Sequence, residues 1–502
     1  MPNLVTAWLV LFAAAPSLAA AADPFELLLI ESSGRTVAAE IADLDGDGRG
    51  DIVQIAFTGL PPREERSIRV FLQGPDGGFP PAPTFERPLP SDSAAYDLAD
   101  LDGEPGSELI LLRPEGLSIL SLASPESADR WFPVPGGSTL GVVEDERGID
   151  RLKLAWPELG SPPWLIVPQL AAAVVLSSTG ELMGHLRVGA RANYFVPPRP
   201  GPLVMESDIQ LFLDVPRLSV GDVNGDGEPD IVAATRHEIR VFFRREGGRF
   251  ESVADRAQPL ARVSAVDHVR GTGTVRVAAV DMDGDKQLDL LISQLSGGML
   301  DAEFTTSIHL NRGGVWDLDA ADRQFETKGW GTDEVVDLDG DGRMELVRIG
   351  LSFSILEMIE ALLTRAVDVR VAVYRASEGD GLDDDPWFEL KLDVPLSLEA
   401  GRPRGFLPNL RADLNGDGHR DLMSSGNGRR LEVFLGGSPD AYKNRVVRQS
   451  LPTNGRIRFG DLEGDGMADF IIYDQRDVDA DLRVIRNLGA LPGSRRRIGP
   501  AS

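Results

Sequence analysis

Seven nonamers in this chain put an oxygen-bearing side chain at positions one, three, five and nine: DLDGDGRGD from Asp43, DLDGEPGSE from Asp100, DVNGDGEPD from Asp222, DMDGDKQLD from Asp281, DLDGDGRME from Asp337, DLNGDGHRD from Asp413 and DLEGDGMAD from Asp461. A hard cation such as calcium takes six to eight oxygens at about 2.3–2.6 Å, and a tight loop turning alternate side chains inward supplies them, helped by the carbonyl at position seven. The candidate ligands are Asp43, Asp45, Asp47 and Asp51; Asp222, Asn224, Asp226 and Asp230; Asp281, Asp283, Asp285 and Asp289; Asp337, Asp339, Asp341 and Glu345; Asp413, Asn415, Asp417 and Asp421; Asp461, Glu463, Asp465 and Asp469. Position six must turn sharply, which suits Gly48, Gly227, Gly342, Gly418 and Gly466. Lys286 departs from that rule, and so does Pro105, whose ring fixes φ; the Asp100 loop therefore stays outside the ligand set. Five to seven structural calcium ions are expected.

The residues on the C-terminal side of each loop decide which element holds it. An EF-hand needs a Glu at position twelve and flanking helices, but Gln54, Ala233, Ile292, Arg348, Ser424 and Ile472 stand there in six copies. Position nine instead opens short apolar segments rich in β-branched residues, such as DIVQIAF, DIVAAT, DLLIS, ELVRIG and DFIIY. Each loop joins two strands. Asp and Gly also serve ordinary polar turns, but seven copies with the same four oxygen positions exceed what turn chemistry requires.

The first aspartates are spaced by 57, 122, 59, 56, 76 and 48 residues, and the long interval is about twice the usual step, so one unit there lacks the motif. The stretch VVEDERGID from Val142 reads as that degraded, metal-free loop. Within a unit the pattern is strand, acidic loop, strand, turn, strand, turn, strand, which predicts an all-β fold: a β-propeller of four-stranded blades, eight in number, with seven the alternative. The last unit runs out after LRVIRNL at Leu482–Leu488, while FELLLIE at Phe25–Glu31 is a lone strand, so the N-terminal strand is expected to close the last blade.

The loops and their period resemble the FG-GAP or VCBS repeat family of integrin α-subunit heads and many bacterial surface proteins, best in VGDVNGDG from Val220 and FGDLEGDG from Phe459. The resemblance covers residues 25–488 and implies a calcium-bearing propeller used mainly for binding, although integrin heads have seven blades. It also implies that metal loops lie on one face and ligands dock on the other, where Trp330 and Phe406 precede inner strands. Rim aromatics stack on sugars or anchor peptides, but more often pack under a neighbouring loop.

The net charge of −28 repels nucleic acid and anionic membranes, so neither is an expected partner. Residues 1–22 carry an apolar run followed by small residues and read as a signal peptide, leaving no membrane span after cleavage and an extracytoplasmic location: secreted, periplasmic or cell-surface. The absence of cysteine excludes disulfides and thiol chemistry. His185, His237, His268, His309 and His419 are scattered without recurring acid or serine partners, so no catalytic residues are assigned. Ile355–Arg365 has helical periodicity, EGDGLDDDPW from Glu378 reads as a solvated hairpin tip, and residues 489–502 read as a mobile basic tail. The sequence predicts an exported binding or adhesion propeller for a protein or glycan partner. An exported polysaccharide lyase or hydrolase on the same scaffold is the alternative, and a scaffold subunit of a surface complex the third reading.

Overall fold

The computed structural model describes residues 23–495, apart from 60–62, 124–125, 127–128, 139–147, 190, 196–209, 261, 264–272, 299–300, 352–362, 378–380, 398–401 and 427. The segments expected as a signal peptide (1–22), the helical stretch from Ile355 and His268 therefore lie wholly or mostly outside the described residues.

Each acidic loop hands the chain to a strand buried on both faces, and that burial sets the architecture. Asp51–Thr58, Glu108–Arg113, Asp230–Ala234, Asp289–Ser296, Glu345–Leu351, Asp421–Ser425 and Asp469–Tyr473 are the second strands of seven antiparallel sheets. An eighth sheet runs Ala155–Trp156, Trp164–Pro168, Ala173–Leu176 and Leu182–Leu186. Seven sheets have four strands and one, from Trp330 to Pro403, has five, so the molecule is an eight-bladed propeller. Blades are numbered here from the one starting at Arg35 (blade 1) to the one starting at Arg456 (blade 8).

A blade has no interior of its own, so its apolar side chains pack against the next blade. Eight hydrophobic clusters bridge consecutive blades, from Val37, Ile55, Leu109 and Leu111 between blades 1 and 2 around to Ile41, Ile52, Ile471 and Val484 between blades 8 and 1. The last of these closes the circle. Phe25–Ile30 pairs antiparallel with Leu482–Asn487, from Phe25 opposite Asn487 to Ile30 opposite Leu482, and so supplies the fourth strand of blade 8. Gln449 of blade 7 clamps that strand: Phe25 N donates to its Oε1 at 3.2 Å, and its Nε2 donates to Phe25 O at 2.6 Å.

Three expectations are corrected. The loop between the first two strands of blade 3 is Pro157–Pro163, a short turn around Pro157–Leu159, and not the stretch from Val142, which precedes the blade and of which 142–147 lie outside the described residues. An additional hairpin, Arg191–Phe195 with Gln210–Asp214, separates blades 3 and 4 and accounts for the rest of the long interval. The chain after Gly489 is anchored as far as Arg495: Leu491 is 5% exposed against Phe25 and Leu414, and Arg495 N donates to Asn415 O at 2.7 Å. Of the stretch from Glu378 expected as a solvated hairpin tip, 378–380 lie outside the described residues; Ala376–Ser377 pairs with Gly381–Leu382, and Leu382 is buried in the core between blades 5 and 6.

Candidate metal loops and the central channel

The loops are built from backbone hydrogen bonds before any ion is considered. The N–H at position four donates to the carboxylate at position one, at 2.7 Å in the loops of Asp43, Asp100, Asp222, Asp281, Asp337 and Asp413. The N–H at position six donates to its other oxygen: Gly48 to Asp43 at 3.0 Å, Gly227 to Asp222 at 2.8 Å, Lys286 to Asp281 at 2.9 Å and Gly466 to Asp461 at 2.7 Å. Pro105 has no N–H to give, so the Asp100 loop lacks this second clasp. In the other six loops position six is left-handed, with φ of 83° at Gly48, and Lys286 adopts the same turn at φ 72° despite its side chain.

Position nine does more than the sequence indicates. As the first residue of the second strand it is buried, and its carboxylate ties three elements together. Asp51 accepts from Leu44 N at 2.9 Å and Gln73 N at 2.8 Å, Asp289 from Met282 N at 2.8 Å and Asn311 N at 2.7 Å, and Asp421 from Leu414 N and Gly436 N, both at 2.7 Å. Each oxygen still has a lone pair for a cation. Burial, and then the crowding of neighbouring carboxylates, pushes Asp51 and Asp230 up to about 6 and Asp289, Glu345 and Asp421 up to about 7. Asp469 and Glu463, which share a hydrogen bond and repel one another, are both pushed up, by burial first. Buried carboxylates in this state are stabilised by a divalent cation.

In four loops three carboxylates bring one oxygen each within 4.8 Å of the others: Asp43, Asp45 and Asp51; Asp100, Asp102 and Glu108; Asp281, Asp283 and Asp285; Asp337, Asp339 and Glu345. This all-oxygen set fits calcium. The Asp100 loop, set aside for Pro105, is among them. In the loops of Asp222 and Asp413 the amides of Asn224 and Asn415 donate to Asp226 and Asp417 at 2.9 and 3.0 Å, and in the last loop Glu463 pairs with Arg486 Nε at 2.8 Å.

The first strands that lead into these loops also wall a channel. A cavity of about 1060 Å³ is lined by first strands of blades 1, 2, 3, 7 and 8 and the residues leading into them, including Glu40, Asp97, Asp150, Arg151, Arg411 and Arg458. Glu40, 3% exposed, accepts from Tyr96 Oη at 2.7 Å, Arg458 Nε at 2.9 Å and Arg151 at 3.5 Å. Asp97 accepts from Arg151 Nε at 2.9 Å and from the backbone of Leu154 and Ala155 at 2.8 and 3.0 Å. Burial, and then the nearby Glu40 carboxylate, drives the Tyr96 hydroxyl far above its ordinary value. The sequence singles out none of these residues. For Glu40 and Asp97 the signal is a charged residue three positions before the loop's first aspartate, in a mostly apolar first strand, as in RTVAAEIA and AYDLA.

Of the two aromatics expected at the mouth, Phe406 is 8% exposed and packs with Leu414 and Phe470, whereas Trp330 is 39% exposed. Among the described histidines, His309 is buried and bonded to Asp317 O at 2.6 Å, and His185 meets Gln169 at 2.8 Å.

The family model for the FG-GAP-like repeat matches residues 222–292 and 413–472. These stretches are FG-GAP-like repeats in an eight-bladed propeller. Each match runs from one acidic nonamer through the next and into the strand that follows it, and the other blades repeat the same strand order. No curated protein matches this chain in sequence. Among solved structures, similar chains include an Agrocybe aegerita lectin described as recognising non-reducing terminal N-acetylglucosamine (16% identity, 91% of this chain, 87% of that one, TM-score 0.37). Another is the V. cholerae biofilm matrix protein Bap1 (12%, 93% and 90%, TM-score 0.35), and a third is Sqt1 from Chaetomium thermophilum (11%, 91% and 98%, TM-score 0.42). At these scores the likeness carries no weight for function.

Proposed function

We propose that this propeller is an exported, calcium-stabilised binding or adhesion module for a protein or glycan. The observation that carries the reading is a division of labour between the acidic loops and the first strands that lead into them. Carboxylates at one end of the first strands converge as all-oxygen sets suited to calcium. Three residues before their loops, the carboxylates Glu40 and Asp97 are consumed by Tyr96, arginines and backbone N–H groups, which makes them frame rather than reagents. Residues 1–22 would direct export, and among the described residues no helix is long and apolar enough to cross a membrane. Each loop filled at extracellular calcium levels adds about 1 kcal/mol by mass action when its Kd is about 10⁻⁴–10⁻³ M.

Thermal melting in millimolar calcium and in chelator tests the metal part, with a higher melting temperature expected in calcium and identical melts overturning it. Glycan and protein arrays probed with the full chain test the binding part; retention of one ligand class is expected. The second reading, an enzyme acting on polysaccharide, draws on Arg151 lining a cavity wide enough for a sugar chain. Release of new reducing ends or unsaturated products from an array-positive glycan would favour it.

A further inference from the structure

We infer that a cleft spanning the first strands of blades 4, 5 and 6 binds a carboxylate-bearing sugar unit through Arg217, Arg276 and Trp330. The inference rests on the binding-module reading and names the ligand chemistry of one site within it. The cleft, about 250 Å³, is lined by Arg217 of blade 4, Thr274, Arg276 and Ser293 of blade 5, and Trp330, Thr332 and Asp333 of blade 6. The first strands of blades 4 and 5 are pinned together beside it, with Ala279 N donating to Ser219 Oγ at 3.1 Å.

Three features point to the ligand. Arg217 and Arg276 are exposed and have no ion pair or hydrogen bond among the described residues, in a chain whose net charge is −28. Partial desolvation, and then the like charge of Arg276, both pull Arg217 below its ordinary value. Among the described residues the one carboxylate lining the cleft cannot neutralise them, because Asp333 is taken up by Arg348 at 3.3 Å and by the hydroxyls of Ser293 and Thr306, both at 2.6 Å. Two guanidinium forks left over are matched by a planar anion, and a carboxylate fits that geometry in bidentate fashion.

Trp330 supplies the second element. It is 39% exposed and has no ring or cation–π partner among the described residues, whereas Trp131, Trp156, Trp164 and Trp387 each carry an Arg or Lys over the ring. An indole face open to solvent takes the apolar face of a pyranose, and the Thr274 and Thr332 hydroxyls offer hydrogen bonds to ring hydroxyls. Cleft size limits the contact to about one sugar unit.

The test is calorimetric titration of the calcium-loaded full chain with a uronate oligosaccharide, its carboxyl-reduced neutral counterpart and inorganic phosphate. Binding of the uronate at least 10-fold tighter than the neutral sugar is expected, with phosphate not competing at equal concentration. Arg276→Ala and Trp330→Ala should each weaken uronate binding about 10-fold, and Arg276→Lys less than Arg276→Ala, with melting temperatures unchanged. Equal affinity for the neutral sugar would remove this inference while leaving the binding-module reading intact. Competition by phosphate alone, no uronate binding, or variants that bind as the parent does would each overturn it.

Discussion

Arg458 and Glu40 stand 418 positions apart in the chain and meet in the channel at 2.9 Å. Blades 1 and 8 are neighbours only because the ring closes, so this contact fastens the seam from inside while the terminal strand fastens it from outside. Glu40 also takes Tyr96 Oη and Arg151, and removing it leaves two arginines and a phenol without their shared acceptor. Glu40→Ala is expected to cost about 3–5 kcal/mol, as for other broken buried ion pairs. Glu40→Gln, which keeps an acceptor for Tyr96, should cost less. Urea unfolding monitored by circular dichroism measures both, and a loss under about 0.5 kcal/mol for the alanine variant would show the network to be dispensable.

Closure from outside has its own test. Phe25 is 2% exposed, packs edge-on against Phe470 with ring centroids 5.8 Å apart, and opens the strand that completes blade 8. Phe25→Ala should lower stability by about 3–5 kcal/mol through the cavity it leaves. Deleting residues 23–30 uncovers the edge of Leu482–Asn487 and should convert a monodisperse protein into one that self-associates, read by light scattering. A truncated chain that stays monodisperse and melts as the parent does would remove the closing role.

Local chemistry made much of this legible. The acidic loops and the strands after them announce themselves because turn, ligand and strand signals fall within about a dozen residues, so blade order and the closing strand come from counting. Blade 3 escaped this because its corresponding turn, Pro157–Pro163, carries one acid, Glu158, which pairs with Lys153 at 2.8 Å and not with a loop. The channel network escaped for a different reason: Glu40, Asp97, Arg151 and Arg458 come from four segments, and only the curvature of the ring brings them together. The structural duty of position nine, satisfying backbone N–H groups from a third strand, is equally nonlocal.

Acid should loosen the channel mouth. Burial alone would raise the Asp150 carboxyl, but the bonds from Arg456 and from its own neighbour Arg151 N at 2.9 Å, with Arg458 close by, outweigh it and hold it below the usual carboxylate range. A depressed carboxyl contributes stability that is fully present above its unfolded value near about 3.9 and is lost as pH falls through the lower folded value. The group is half exposed, so the contribution is about 0.5–1 kcal/mol. Asp150→Asn should be less stable than the parent by that amount at about pH 6, and the gap should close below about pH 3. A gap that is flat with pH would assign the effect to packing.

Position six separates backbone strain from side-chain contact. A Cβ built on Gly48 meets nothing within 4 Å, so Gly48→Ala changes little except the cost of holding φ at 83°. That cost is about 1–2 kcal/mol for a residue with a side chain, and Lys286 already bears it at φ 72°. Gly48→Ala is therefore expected to destabilise by about 1 kcal/mol, and Lys286→Gly to stabilise by about 0.5 kcal/mol once the extra freedom of glycine in the unfolded chain is subtracted. If the strained turn also positions the carboxylates, calcium affinity at the Asp43 loop falls with the first variant and rises at the Asp281 loop with the second. Melting curves at several calcium concentrations read both effects: opposite shifts that widen with calcium are expected, whereas equal shifts at all concentrations would confine position six to the fold and detach it from the metal.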